Sequence, residues 1–191
     1  MNERETAPGA LALVEALVNT LDVETGTDSL DTEDGRAAFG LAEQDVPPAR
    51  ELREALRAAC LAHAGHRSDR SPAALDELLA GAPLYVTVAE DGTAALRPAD
   101  PDTLASRIAE ALAAASADGT WARLKACEAE DCRWVYYDRS PGGRRRWCSM
   151  SVCGARAKMR TYRARGKASA LGSAPDPAPQ TSAALDLPGQ P

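Results

Sequence analysis

The sequence predicts an α+β chain: a mostly helical N-terminal domain with a small β-hairpin, then a treble-clef-like four-cysteine zinc finger, then a disordered C-terminal tail. Three observations carry this. Apolar residues recur at helical spacing through most of the first 119 positions. Two close cysteine pairs follow, Cys127-x4-Cys132 and Cys148-x4-Cys153, separated by fifteen residues. The last 24 residues, from Ala168, hold five prolines and no aromatic residue, too little apolar area to offset the entropy of ordering. The boundaries expected are 8–119 for the first domain, 120–167 for the finger and 168–191 for the tail.

In the first domain, Val14, Leu17, Val18 and Leu21 follow the i, i+3, i+4, i+7 rule, with Glu15, Asn19 and Asp22 on the other edge. A weaker pattern covers residues 34–43. The strongest helix spans residues 48–63. Ala49, Leu52, Leu56, Ala59, Cys60 and His63 share its inner face, Arg50, Glu51, Arg53, Glu54 and Arg57 cover the rest, and Pro47-Pro48 suits its start. Ser71-Pro72 reads as an N-cap with proline at the first helical position. Residues 84–89 and 93–97 read as a hairpin around the Asp91-Gly92 turn. Asp100-Pro101 then restarts a helix, with Leu104, Ile108, Ala111, Leu112 and Ala115 on one side.

Four paired cysteines suit tetrahedral zinc. Each pair supplies two thiolates from one turn, and the intervening loop lets the pairs face each other at Zn–S distances of about 2.3 Å. Two disulfides and a redox-labile zinc site are the alternatives. No basic leader precedes the apolar run of residues 11–21, which Glu15 and Asn19 interrupt, and no apolar stretch approaches the roughly 20 residues of a membrane span. The chain therefore reads as cytoplasmic with no membrane partner, a setting that keeps thiols reduced and favours metal over disulfides. Trp134-Val135-Tyr136-Tyr137 is strand-forming, Pro141-Gly142-Gly143 is a turn, and Arg146-Trp147 begins the expected return strand. A helix capped near Ser151 and running to about Arg165 places Cys153 in its first turn, where the helix dipole favours thiolate. Six of the eight aromatic residues (Trp121, Trp134, Tyr136, Tyr137, Trp147, Tyr162) fall in this module, as a small core around the metal or as stacking groups for bases.

The net charge of −6 hides a segregation. Residues 120–167 carry 13 basic and 4 acidic side chains, the remainder 9 and 24, and no lysine precedes Lys125. On a helical wheel Arg156, Arg160, Arg163 and Lys167 form one ridge, and Lys158 on the same helix is a further candidate contact. Val152, Ala155, Met159 and Tyr162 form an adjacent strip expected to pack on the zinc knuckle. Arg144, Arg145 and Arg146 add a basic loop. A solubilising face is one reading. With so few acids nearby, a phosphate-backbone contact surface for double-stranded DNA is the other.

These residues carry a resemblance. Arg145-Arg146-Trp147-Cys148-Ser149-Met150, then Val152-Cys153-Gly154-Ala155-Arg156-Ala157-Lys158, resembles the CGNR-type zinc finger, and Cys127, Cys132 and Tyr137-Asp138-Arg139-Ser140 fit it too. Val18-Asn19-Thr20-Leu21 and Leu52-Arg53-Glu54-Ala55-Leu56 are similar to the ABATE domain that precedes such fingers. The resemblance covers roughly residues 10–166 and implies a stress-responsive transcriptional regulator. The family's Cys-Gly-Asn-Arg reads Cys-Gly-Ala-Arg here. On the wheel Ala155 faces the packing side, so the usual asparagine is expected to support the fold.

Within the first domain, Asn19 and Thr20 line a ligand pocket or bond within the core. The resemblance favours the pocket and adds Arg53 for a small-molecule effector. Cys60 reads as a small buried hydrophobe, and His63 and His66 as surface residues. No phosphate loop, HExxH motif or nucleophile elbow is present, so catalysis is not expected. A single finger binds with modest specificity, which makes a homodimer reasonable. The rival readings are a zinc-stabilised protein-interaction module and a redox-sensitive zinc switch acting on the transcription machinery.

Overall fold

A computed structural model describes residues 5–66 and 74–171. The first apolar stripe becomes α1 (Leu11–Val18), whose Leu11, Val14, Leu17 and Val18 are almost wholly removed from water. The stripe does not extend to Leu21 as the spacing suggests. Asn19 ends the helix, Thr20 Oγ1 donates back to Leu17 O at 2.8 Å, and Leu21 enters β1 (Leu21–Asp22), paired antiparallel with β2 (Thr27–Asp28). Short polar side chains at a helix end compete for backbone partners in this way.

The weak pattern at residues 34–43 yields the short α2 (Glu33–Ala37), capped by Thr32, whose Oγ1 accepts from Gly35 N. The central helix α3 (Val46–His63) begins two residues before Pro48, with both prolines in the first turn, where no donor is lost. The helix start expected at Ser71-Pro72 lies outside the described residues; α4 (Ala74–Leu79) follows. β3 (Leu84–Val88) and β4 (Ala94–Pro98) form the expected hairpin, with Gly92 at φ +82° in its turn. α5 (Leu104–Ala117) is capped by Thr103, Oγ1 accepting from Ser106 N at 3.2 Å, rather than by Asp100.

α1, α3 and α5 enclose a core that includes Leu30, Phe39, Leu52, Leu56, Cys60, Ile108 and Ala111. Cys60 is fully buried, and burial pushes its thiol well above the ordinary range, so it behaves as the hydrophobe expected. The outer face of α3 departs from expectation. Arg53 and Arg57 are only 4% and 5% exposed. Arg53 Nη1 donates to Asp28 Oδ2 at 2.7 Å and to Thr20 Oγ1 at 3.1 Å, and Glu54 accepts from both arginines. Their aliphatic stems cover the core while fixed acceptors satisfy the guanidiniums.

Two later strands complete this core. β5 (Leu124–Ala126) and β6 (Val135–Tyr137) pair antiparallel with Leu124 opposite Tyr137, and Leu124, Ala126 and Val135 are wholly buried among the helices. β6 therefore pairs with a strand before it, not with the return strand expected at Arg146-Trp147. That later segment contributes a backbone bond from Glu128 N to Arg146 O. Side chains of the helices hold the hairpin's backbone. Asn19 donates Nδ2 to Val135 O at 2.9 Å and accepts from Val135 N at 2.8 Å. Arg57 donates to Val18 O and Arg133 O, and His63 Nδ1 lies 2.8 Å from Leu124 O. His63 is thus a half-buried tie and not the surface residue expected. Burial lowers its pKa, and its ring meets Trp121 edge-on at 4.7 Å.

One compact unit ends at Ala155 and a second begins at Arg156. The second is the helix α6 (Ala155–Leu171), which extends past Ala168, where the tail was expected to start; residues 172–191 lie outside the described ones. No described helix is long and apolar enough to cross a membrane.

Asn19 acts as a strand partner in side-chain form. Asn19→Ala leaves a buried N–H and C=O of β6 unpaired, so the zinc-loaded protein should lose about 1–3 kcal/mol in urea unfolding.

Candidate metal centre

β5 delivers Cys127 to the start of a tight knuckle. Cys127 N donates to Trp134 O at 2.8 Å, and the amides of Cys132 and Arg133 both donate to Ala129 O at 3.0 Å. The turn requires a left-handed residue, and Arg133 fills that place at φ +53°. It is held by its own Nη1 on Glu128 O and by Arg57 on its carbonyl. Cys148 follows the basic loop. Cys153 sits in a π-helical turn, Met150–Gly154, capped by Ser149, whose Oγ accepts from Val152 N. The expected cap at Ser151 and first α-turn for Cys153 thus move upstream by two residues and onto a wider turn.

The four Sγ atoms lie within 4.8 Å of one another. Cys132–Cys148 is 3.7 Å and Cys148–Cys153 is 3.8 Å, and all four are free thiols. Tetrahedral zinc with 2.3 Å Zn–S bonds has sulfur–sulfur edges of about 3.8 Å, nearly twice a disulfide bond. The donor set and spacing fit zinc, and these four cysteines form its binding site.

The thiols are electrostatically unequal. Cys127 accepts from Cys132, Cys148 and backbone amides, which holds its thiol well below the ordinary range. The same contacts with Cys127 and Cys132 push Cys148 upward, and burial raises Cys153. Cys127, Cys132, Cys148 and Cys153 would hold a divalent zinc, whose charge would favour their thiolate forms. Trp134 and Trp147 pack against the cysteines with buried Tyr136 and Ala129, forming the small core expected. Tyr137 and Trp121 pack instead on the helical core, and Tyr162 is 73% exposed.

The basic loop is organised by a carboxylate that sequence reasoning did not single out. Asp138 is wholly buried. Its Oδ1 accepts from Ser140 N and Oγ at 3.0 and 2.6 Å, and its Oδ2 from Arg145 N at 2.9 Å and Lys125 Nζ at 3.1 Å. Lys125 also donates to Gly143 O. Burial alone would raise the Asp138 carboxyl, but hydrogen bonds from Ser140, Arg145 and Lys125 prevail and hold it at about 2. Because an unfolded aspartate titrates near 3.9, this stabilisation is complete above about pH 4 and is lost as pH falls through 2. The available signal was Asp138 closing the strand-forming run Trp134–Tyr137, with a lysine, Lys125, on the preceding apolar segment.

The candidate cations divide. Arg144 is exposed. Arg145 lies over the Tyr136 ring and donates to Cys148 O at 3.0 Å, so it also braces the site. Arg146 is 58% exposed at its side chain and pairs with Glu128, which His66 Nε2 approaches at 3.4 Å. On α6, Lys158, Arg160, Arg163 and Arg165 are exposed and Arg156 is half-buried; Lys167 lies further along the helix. The expected packing strip is not buried. Val152, Met159 and Tyr162 are 47%, 51% and 73% exposed, and Ala155 is exposed too. The π-turn has more residues per turn than the 100° wheel assumes, which shifts the phase of Val152 and Ala155. Position 155 is therefore on open surface, which removes the reason for assigning it a packing role.

Asn19, Thr20 and Arg53, the ligand candidates, are all engaged in the intramolecular bonds described above. None lines a cavity of about 340 Å³ between α3, α4 and α5, which is walled by Leu41, Ala49, Leu52, Leu78 and Leu104 and edged by Asp45 and Asp102.

Comparison with known families agrees with this architecture. Residues 123–166 match the CGNR zinc finger. Residues 11–119 match ABATE, described as "putative stress-induced transcription regulator". The chain belongs to the ABATE family and carries a CGNR zinc finger at its C-terminal side. No curated protein matches it.

Two substitutions separate metal binding from loop organisation. Cys148→Ser should abolish stoichiometric zinc, read by metal analysis of purified protein. Asp138→Asn strands a buried ammonium and should cost about 3–5 kcal/mol of stability with zinc still bound at neutral pH.

Proposed function

We propose that this protein is a DNA-binding transcriptional regulator whose zinc-centred unit and α6 contact the phosphate backbone of duplex DNA. The observation that carries this is the imbalance of exposed charge. Of the four acids in residues 120–167, Glu128 is consumed by Arg146 and Asp138 by Lys125. Arg144 in the basic loop and Lys158, Arg160, Arg163 and Arg165 on α6 are exposed, and residues 120–167 hold only two further acids. Such cations suit phosphate contacts, with an arginine able to read a guanine edge. The acidic remainder of the chain keeps the rest of the surface off DNA. We read the chain as a cytoplasmic regulator and not as a catalyst. The cavity between α3, α4 and α5 is a better place for an effector than Asn19, Thr20 and Arg53, whose polar atoms are engaged.

A second reading is a surface for an acidic protein of the transcription machinery. It is favoured by the exposed Met150 and Val152 of the π-helical turn and, separately, by the exposed Met159 and Tyr162 of α6.

Selection of duplexes from a randomised pool by zinc-loaded protein at physiological salt decides between them. The expected result is an enriched motif that disappears in Cys148→Ser/Cys153→Ser. Binding should weaken with salt at a log–log slope of roughly −5, as for five or six phosphate contacts. Retention without enrichment removes sequence-specific regulation, and no retention turns the assignment to the protein partner.

A further inference from the structure

β3 and β4 form a sheet of only two strands, and the register shows which backbone groups are left over. Backbone bonds from Ala89 N to Thr93 O and from Ala99 N to Pro83 O close the ladder at its two ends. Bonded pairs alternate along an antiparallel ladder, so Thr87–Ala95 and Tyr85–Arg97 are bonded pairs as well. The N–H and C=O groups of Leu84, Val86 and Val88 consequently point away from β4. Among the described residues nothing bonds to them. α5 lies along the β4 side, and β4 ends in Pro98, which has no amide to offer.

Open edges are normally protected by lysine, proline or a bulge. β3 reads Leu-Tyr-Val-Thr-Val and has none of these. Val86 and Val88 are 65% and 68% exposed, and their cross-strand neighbour Leu96 is 43% exposed. Half of the large exposed hydrophobic residues among the described ones lie on this one hairpin.

We infer that β3 is a self-association edge, at which two copies of this chain pair antiparallel across a two-fold axis through Val86. Such a pair sets Val86 opposite Val86 and Leu84 opposite Val88, joining two hairpins into one four-stranded sheet. The outward groups of three residues in each copy supply about six intermolecular backbone bonds. Charge selects a second copy over another partner. β3 carries no charge, so two acidic bodies meet there without like charges in contact. Arg97 of β4 is paired with Glu110 of α5 at 2.8 Å, and the hairpin's turn adds two exposed acids, Glu90 and Asp91. In the antiparallel pair Glu90 and Asp91 of each copy fall beside the uncharged Ala82 and Gly81 of the other, so the acids of the two turns do not meet, whereas a polyanion would face them directly. An isologous contact of this kind also closes after two copies, which avoids filament growth. The assembly does not depend on DNA binding, and it would give the regulator proposed above two-fold symmetry.

The test is sedimentation equilibrium of the full zinc-loaded chain from about 1 to 100 μM, a range bracketing micromolar association. The expected result is a species of twice the 20.1 kDa chain mass. Val86→Pro removes an amide that β4 does not use, so it should spare the hairpin and weaken self-association by about 100-fold or more. Val88→Lys, which places a charge on the edge, should do the same and decides the matter if the proline variant loses its far-UV circular dichroism. Hydrogen exchange at Leu84, Val86 and Val88 should slow with rising concentration in the wild type only. A monomer across the whole range overturns the inference. So does a dimer that survives both substitutions in folded, zinc-loaded protein, because it puts the contact elsewhere.

Discussion

The zinc-binding part of this chain depends on side chains far away in sequence satisfying the backbone of one short hairpin. β5 and β6 have only three residues each, and a pair this short is not stable in water by itself. Asn19 pairs with Val135 as a strand would, Arg57 secures the carbonyl at the knuckle's left-handed corner, and His63 secures Leu124. Removing these partners would leave polar backbone buried against Leu17, Leu56 and Ile108. The apolar residues between them, Leu124, Ala126 and Val135, then count as core of the helical domain. The metal therefore fastens a structure whose frame is already set from α1 and α3.

A second, smaller organisation sits beyond the hairpin. Asp138 gathers Lys125, Ser140 and the amide of Arg145, and so fixes how residues 138–145 leave β6. Arg145 then turns inward over Tyr136 and onto Cys148 O, while Arg144 stays outside. Three consecutive arginines thus have three roles: one exposed, one bracing the metal loop and one paired with an acid. A buried ion pair is weak evidence for net stability, but it is well suited to specifying one loop geometry among many.

The helices were legible because their signals are local. The spacing of Val14, Leu17 and Val18, the proline pair before α3 and the Asp91-Gly92 turn each act within a few residues. The cysteines were legible because thiols at that spacing in an otherwise cysteine-poor chain have little else to do. What escaped was non-local. Arg53 and Arg57 read as solvent-facing because nothing nearby announces Asp28, Val18 O or Arg133 O as their acceptors. Asn19 and Thr20 left a ligand pocket and a bond within the core both open, because a polar pair at a helix end has the same appearance whether it serves a pocket or a distant strand. The wheel failed at Val152 and Ala155 for a different reason: a π-turn is invisible to a fixed 100° step.

The seating of β5 and β6 has a consequence for the order in which the molecule can be made. Synthesis proceeds from the N-terminus, and domains ordinarily consolidate as they emerge from the ribosome. Here α1, α3 and α5 emerge with a wall missing, since Leu124, Ala126 and Val135 arrive only after the last of those helices is complete. The nascent helical part must wait with an open apolar face until residue 137 has cleared the exit tunnel. The four metal ligands are then complete only sixteen residues later, at Cys153. Closure of the N-terminal core and capture of the ion are thus consecutive events near the end of translation, so a chain truncated before β6 would be an aggregation hazard and not a spare sensor domain.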